Sequence, residues 1–259
     1  AEFAKSPSGT GPWKFVSQTQ RAKVEMVPNK AYWNPKRVPK VDRVILRPIP
    51  EASARVAALL SGQVDFVEAP PPDAVPRLKS SGMKIVTNAY PHNWAIKPSR
   101  IKGSPWNDIK VRKAANLCID RDGMNKMLGG LSVPSEGHVP PGDTRFGNPT
   151  FKLGYKPDEA RKIMESAGHS KDKPLTVKIA ISTSGSGQMQ PLPMFEFIQA
   201  NLNECHFKVE GEIMEWNALT SFGRKPANDK GAVAKGVNAI VISHALQDPY
   251  SGFERFFLS

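Results

Sequence analysis

The amino-acid sequence predicts an α/β fold, and three observations carry that expectation. From Leu175 onward the apolar pattern reads strand, helix, strand, helix, strand. The last strand, Ala239 to Ser243, is a continuous apolar run, as a strand covered on both faces requires. That order implies right-handed crossovers and a largely parallel arrangement. With 259 residues and 39% apolar content, the chain can bury a sizeable core in one or two domains.

The first elements are short. Residues Arg21 to Val27 alternate Ala22, Val24 and Met26, the signature of a half-buried strand, and Val41 to Ile49 reads as a second. Glu51 to Leu60 follows as a helix with Val56, Leu59 and Leu60 on one face, and Gly62 stands where a terminating glycine belongs. Val64 to Val67 reads as a short strand. After Pro70, Pro71 and Pro72 come a short helix around Asp73 to Lys79 and a further short strand, Lys84 to Thr87.

A longer helix is predicted over Asp108 to Ile119, because Val111, Ala114, Ala115, Cys118 and Ile119 recur on one helical face. Asp120 can cap the next short helix, which carries Met124, Met127 and Leu128 and ends at Gly129 and Gly130. A loop rich in Pro and Gly runs from Val133 to Pro149. Pro157 then suits a first helical position, with Asp158 and Glu159 at the positive end of the helix dipole. Ile163, Met164 and Ala167 form its inward face, and Gly168 stops it. Leu175, Val177, Ile179 and Ile181 alternate as a strand. The Ser182–Gln188 loop has neither the Walker A lysine nor a full GxGxxG, so it reads as a mobile surface loop and not a nucleotide cradle. A helix from about Pro191 to Glu204 turns Met194, Phe195, Ile198 and Leu202 inward. Phe207, Val209 and Ile213 make the next strand, and a short helix carries Trp216 and Leu219, with Trp216 assigned to packing.

The formal net charge is +12 and the isoelectric point near 9.7. Such a balance favours anionic surfaces. Yet no run of five Lys/Arg occurs and aromatics do not interleave with the basic residues, so a scattered, solvated basic surface is expected ahead of a nucleic-acid or membrane-surface module. The two cysteines, Cys118 and Cys205, lack CxxC or metal spacing. Both fall in apolar helical patterns, which favours buried free thiols and leaves a disulfide between them open. No apolar run is long enough to span a bilayer. Residues 1–5 have no secretory-signal character, so the chain reads as mature or cut. No GxSxG elbow or HExxH is present, and the five histidines show no metal spacing. A hydrolase would need a dispersed site. No cofactor or metal is expected.

Several segments carry a resemblance. Gly9-Thr10-Gly11-Pro12-Trp13 is followed by Asn29-Lys30-Ala31-Tyr32-Trp33. Trp106-Asn107-Asp108-Ile109-Lys110-Val111-Arg112-Lys113-Ala114 is followed by Ile119-Asp120-Arg121. Gly129-Gly130, Pro140-Pro141-Gly142, Tyr155-Lys156-Pro157-Asp158-Glu159-Ala160-Arg161 and Asp248-Pro249 with Phe253 complete the order. No one motif is specific, but their order and spacing resemble the extracytoplasmic solute-binding proteins of family 5, the peptide and nickel class that feeds ABC importers. The resemblance implies a class II periplasmic-binding-protein-like fold of two lobes, present here in part. Residues 1–88 would be part of lobe one, rich in strands, and residues 89–259 most of lobe two. It also implies a longer parent protein with a secretory signal, a periplasmic location, a small solute and membrane permease subunits as partners, no nucleic acid, and a monomer.

The same resemblance points to a cleft between lobes that close on a solute. Candidate ligand-binding residues are Trp94, Lys97, Ser243, His244 and Asp248. Trp94, just past the lobe crossing, would stack on a ligand or pack between lobes. Lys97 stands where the family commonly has a neutral amide, so it would pair with an anionic solute or be solvated. His244 ends an apolar strand, where ligands gather in parallel sheets, or serves structurally. Asp248 would contact ligand or cap a turn around Pro249. The stretch Ser243 to Gln247 has no acid where the peptide-binding branch pairs the ligand's amino terminus. Losing that partner costs about 1.5–3 kcal/mol. This admits a sugar conjugate, an opine, a modified peptide or an anionic solute beside ordinary peptides.

Overall fold

The computed structural model describes residues 3, 6–88, 92–139, 142–185, 187–224 and 235–245. The chain forms two compact units, residues 1–70 and 71–259. The division falls at the proline run, which puts residues 71–88 in the second unit.

The described residues of unit one include a three-stranded antiparallel sheet and a helix of nine residues. Strand β1 (Trp13–Thr19) pairs with β2 (Lys23–Pro28), which pairs with β3 (Val44–Leu46). Asn29 closes the turn ahead of β1. Its backbone N–H donates to the Pro12 carbonyl at 2.8 Å, and its side-chain amide donates to the Gly11 carbonyl at 3.1 Å. The two sequence motifs of this unit are thus one hydrogen-bonded corner. Helix α1 (Ala52–Leu60) follows, and Gly62 takes φ 73° just past its end. The Arg55 guanidinium donates to the carbonyls of Ile49 (2.8 Å), Pro50 (2.7 Å) and Ala69 (3.3 Å), tying both flanks of α1 together.

Some expected strands in and just after this unit do not form. The Val41–Ile49 strand shrinks to β3, and neither Val64–Val67 nor Lys84–Thr87 is a strand. A strand needs a partner to satisfy its backbone, and among the described residues none pairs with these segments. β1, conversely, was hidden beneath its turn motif.

Unit two is a four-stranded sheet in the order β4-β7-β5-β6, flanked by helices. Its strands are β4 (His92–Pro98), β5 (Leu175–Ser182), β6 (Phe207–Met214) and β7 (Ala239–Ala245). β5 runs parallel to both β6 and β7, as the strand–helix order requires, while β4 is antiparallel to β7. The helices are α2 (Val75–Ser80), α3 (Ile109–Cys118), α4 (Arg121–Met127), α5 (Pro157–Ser166), α6 (Pro191–Glu204) and α7 (Trp216–Arg224). Side-chain caps start three of them: Asp108 Oδ1 accepts from Lys110 N at 2.7 Å, Asp120 Oδ1 accepts from Gly123 N at 2.8 Å, and Glu215 Oε2 accepts from Asn217 N at 2.8 Å. The core joins Leu117, Met164, Ile179, Ile181, Ile198, Leu202 and Val241 from α3, α5, α6 and the sheet. Trp106 stacks on Phe207 at 6.2 Å and donates its indole N–H to Asn238 Oδ1 at 2.9 Å.

Cys118 and Cys205 are not free thiols. They form a disulfide joining the last residue of α3 to the residue after α6. Each was read correctly as buried; what the sequence did not carry was their proximity, which arises because α3 and α6 end side by side on the sheet.

Candidate functional site

The carboxyl ends of β5, β6 and β7 meet the amino end of β4 along one edge of the unit-two sheet. Ladder register fixes this convergence: His92 pairs with Ala245, Trp94 with Ser243, and Ser182 with Met214. Loops at carboxyl ends of parallel strands are where α/β sheets hold ligands. Here the edge carries His92, Asn93, Trp94, Ser182, Gln188 and Ser243.

These groups are bonded to one another. Trp94 donates its indole N–H to Gln188 Oε1 at 3.0 Å. Gln188 Nε2 donates to Ser182 Oγ at 3.0 Å and to the Ser184 carbonyl at 3.4 Å. Ser243 Oγ lies 3.3 Å from His92 Nδ1. Asn93 Nδ2 donates to the carbonyls of Gly137 (3.3 Å) and His138 (3.2 Å), pinning that loop to β4. Burial pushes the pKa of His92 down, and burial with the nearby Arg145 charge does the same at His138. Both imidazoles are therefore held toward their neutral form. Trp94 is half-buried and packs on the main core, so the strand both anchors it and leaves part of its surface open.

Three of the expected residues come together at this edge: Trp94, Ser243 and, by strand position opposite Asn93, His244. Lys97 does not join them. It sits three residues further along β4, about 10 Å away and on the alternate side of the strand, opposite Ile240. Asp248 lies outside the described residues. The Ser182–Gln188 loop, expected as a mobile surface loop, exposes Thr183, Ser184 and Gly187 and buries both its ends. Ser182 and Gln188 are the buried polar side chains among the described residues, at 0% and 7% exposure. A Cβ on Gly187 would stand 2.3 Å from His92 Nδ1, so that backbone lies directly against the His92–Ser243 pair. Trp216, assigned to packing, borders the same loop at Gly185. Sequence reasoning missed Gln188 and His92. A glutamine in a Ser/Gly stretch carries no burial signal of its own.

Two surface concavities lie elsewhere, and none of the five candidates lines them. One of about 480 Å³ sits at the amino ends of β5 and β6, bordered by Arg161, Lys171, Asn203 and Lys208. The other, about 520 Å³, is in unit one beside Trp13, Phe15, Val24 and Met26. No group of His, Cys, Asp and Glu suited to a metal ion occurs among the described residues, and no helix among them is long and apolar enough to cross a membrane.

Comparison with known proteins gives this arrangement a context. Residues 1–258 match the bacterial extracellular solute-binding proteins, family 5 Middle. The chain belongs to this family. Among its relatives, the glutathione-binding protein GsiB of Pectobacterium atrosepticum is 26% identical over 218 residues, which is 83% of this chain and 40% of that protein. The oligopeptide-binding protein AppA of Bacillus subtilis is 26% identical over 253 residues, 90% of this chain and 44% of that one. In fold, the chain resembles the periplasmic binding protein DppA of Helicobacter pylori in complex with the peptide STSA, with a TM-score of 0.79 and 23% identity. That match covers 98% of this chain and 47% of DppA. The chain thus spans about two-fifths of the length of the curated relatives it matches. Family 5 proteins are extracytoplasmic transport binding proteins and not enzymes, which sets the dispersed-hydrolase reading aside.

Proposed function

We propose that this family 5 chain belongs to the periplasmic substrate-binding component of an ABC importer. Its solute is an oligopeptide or a related small molecule, which it passes to the membrane permease as a monomer. One observation carries the reading: Trp94, Ser243 and the His244 position share the sheet edge where the parallel strands β5, β6 and β7 end, with a packed polar loop. An aromatic face beside fixed uncharged hydrogen-bonding groups suits a solute that is partly apolar and partly amide or hydroxyl. The peptide-related names of GsiB, AppA and DppA support the choice of solute class. A sugar conjugate, an opine or an anionic solute are variants within the same reading; Lys97, half-buried on β4, would serve an anion only from a different part of the surface.

Thermal shift tests this on the purified chain. Ser-Thr-Ser-Ala and its N-acetylated form are each added in excess over the protein. A ligand at a hundred times its Kd stabilises a fold by about 2.7 kcal/mol, a readily measured change in Tm. The free and N-acetylated peptides should shift Tm alike, because Ser243 to Gln247 offers no acid to a free amine. Trp94→Ala should reduce both shifts without removing them. If neither peptide moves Tm while a phosphorylated or carboxylated sugar does, the peptide reading fails.

A further inference from the structure

Burying an amide costs free energy that an apolar side chain of the same size would not, unless every polar atom finds a partner. Gln188 meets that condition. Its Oε1 accepts from the Trp94 indole, and its Nε2 donates to Ser182 Oγ and to the Ser184 carbonyl. The indole N–H is a donor only, so the amide has one workable orientation: flipped, it would set two donors against each other. Nor has it room to swing. A Cβ on Gly185 would stand 2.7 Å from Gln188 Nε2 and 2.2 Å from Trp216 Cε3, so the glycine backbone closes directly over the amide. Ser182 ends β5, Trp94 lies in β4 and Gln188 comes from the loop between β5 and α6. The amide therefore links two strands, β4 and β5, that have β7 between them in the sheet.

Packing alone does not call for this arrangement, since a methionine would fill the same space. A fully satisfied buried amide instead fixes one geometry where an apolar contact would permit several. We propose that Gln188 is a positioning residue: through its bond to the indole N–H it holds the Trp94 ring in the plane against which the solute packs, with Ser182 fixing the amide from the other side. This rests on the reading that Trp94 faces the solute. Gln188 itself need not touch the solute.

Nuclear magnetic resonance of the ¹⁵N-labelled indoles tests the assignment without any ligand. The chain has 5 tryptophans, and Trp94→Phe identifies the Trp94 signal by its loss. In Gln188→Met that signal should move upfield and its proton should exchange with solvent at least tenfold faster. Gln188→Glu, which keeps an oxygen acceptor, should restore most of the shift. An unchanged Trp94 signal and exchange rate in Gln188→Met overturns the proposal. If Gln188→Met does not fold, Ser182→Ala decides in its place: a smaller change in the same direction supports the proposal, and none overturns it.

Calorimetry with Ser-Thr-Ser-Ala tests the consequence for binding. Gln188→Met should weaken binding about three- to tenfold, the worth of one net hydrogen bond. The loss should vanish in a Trp94→Ala background. A loss that persists there makes Gln188 merely structural and overturns the proposal. If Trp94→Ala leaves affinity unchanged, the solute-facing reading of Trp94 fails, and with it the role assigned to Gln188. If the wild-type chain does not bind this peptide, the peptide reading fails while the indole signal still decides whether Gln188 positions Trp94.

Discussion

Gly187 is the residue where one added methyl group disturbs most at the binding edge. Its φ is 71°, a conformation that side-chain-bearing residues adopt only with strain of roughly 1–2 kcal/mol. A Cβ there would also stand 2.3 Å from His92 Nδ1 and 2.5 Å from Ser243 Oγ. Gly187→Ala should therefore lower Tm and separate the His92–Ser243 pair, whereas Gly142→Ala, with nothing within 4 Å, should not. Equal Tm values for the two variants would show that the loop backbone is not seated where the structure has it. His92 makes a pH prediction at the same scale. Its pKa in the fold is depressed by burial. Above the ordinary histidine value of about 6.5 the imidazole is neutral whether the chain is folded or not, and it contributes no pH dependence. As pH falls below that value the unfolded chain takes up the proton first, so stability drops until the folded value is passed. His92→Gln should flatten this part of the stability profile between about pH 7 and pH 5, as followed by urea unfolding. A profile unchanged by the substitution would assign the acid sensitivity elsewhere, with His138 the next group to change.

Among the elements, helices were far more legible than strands. Pro191 at a first position, an inward stripe of Met194, Phe195, Ile198 and Leu202, and a strand following at once locate α6 to the residue. The caps Asp108 and Asp120 act within three residues of themselves, so their signal is local. A strand answers instead to a partner distant in sequence. Val64–Val67 has the apolar content of a strand and no ladder to join, while β4 forms because β7, far along the chain, offers a full-length register. The same limit hid the disulfide: Cys118 and Cys205 are 87 residues apart, and only the packing of α3 and α6 brings their Cα atoms to 6.3 Å. Closing a loop of that length restricts the unfolded chain enough to stabilise the fold by about 4.6 kcal/mol. Reduction, or Cys118→Ser with Cys205→Ser, should lower the urea midpoint of unit two markedly without changing the strand order. A midpoint that ignores reductant would mean that the bond closes little that the fold does not already hold. The binding edge was legible in part for the same reasons. Trp94 and Ser243 stand on strands whose ends could be placed, whereas Gln188 becomes a buried residue only once β4 and β5 are brought to the same edge.

At the scale of the whole molecule the two units differ sharply in what they bury. Unit two has a continuous core running from Trp106 to Val241 through α3, α5, α6 and the sheet, closed further by the disulfide. Among the described residues of unit one, Val56 and Ala58 are the buried apolar side chains, while Val16, Trp33, Val41, Ile45, Leu46 and Phe66 are exposed. A chain of this size buries too small a share of its surface to offset its conformational entropy without a fuller core. Residues 71–259 produced alone should therefore unfold cooperatively, keep the disulfide and give the indole signals of Trp94, Trp106 and Trp216 at their positions in the full chain. Residues 1–70 produced alone should show a poorly dispersed amide spectrum and no cooperative transition in urea. The reverse result, a cooperative transition in residues 1–70 and none in residues 71–259, would place the stable core in the wrong unit. It would also remove the rigid sheet edge on which Trp94, Gln188 and Ser243 are held.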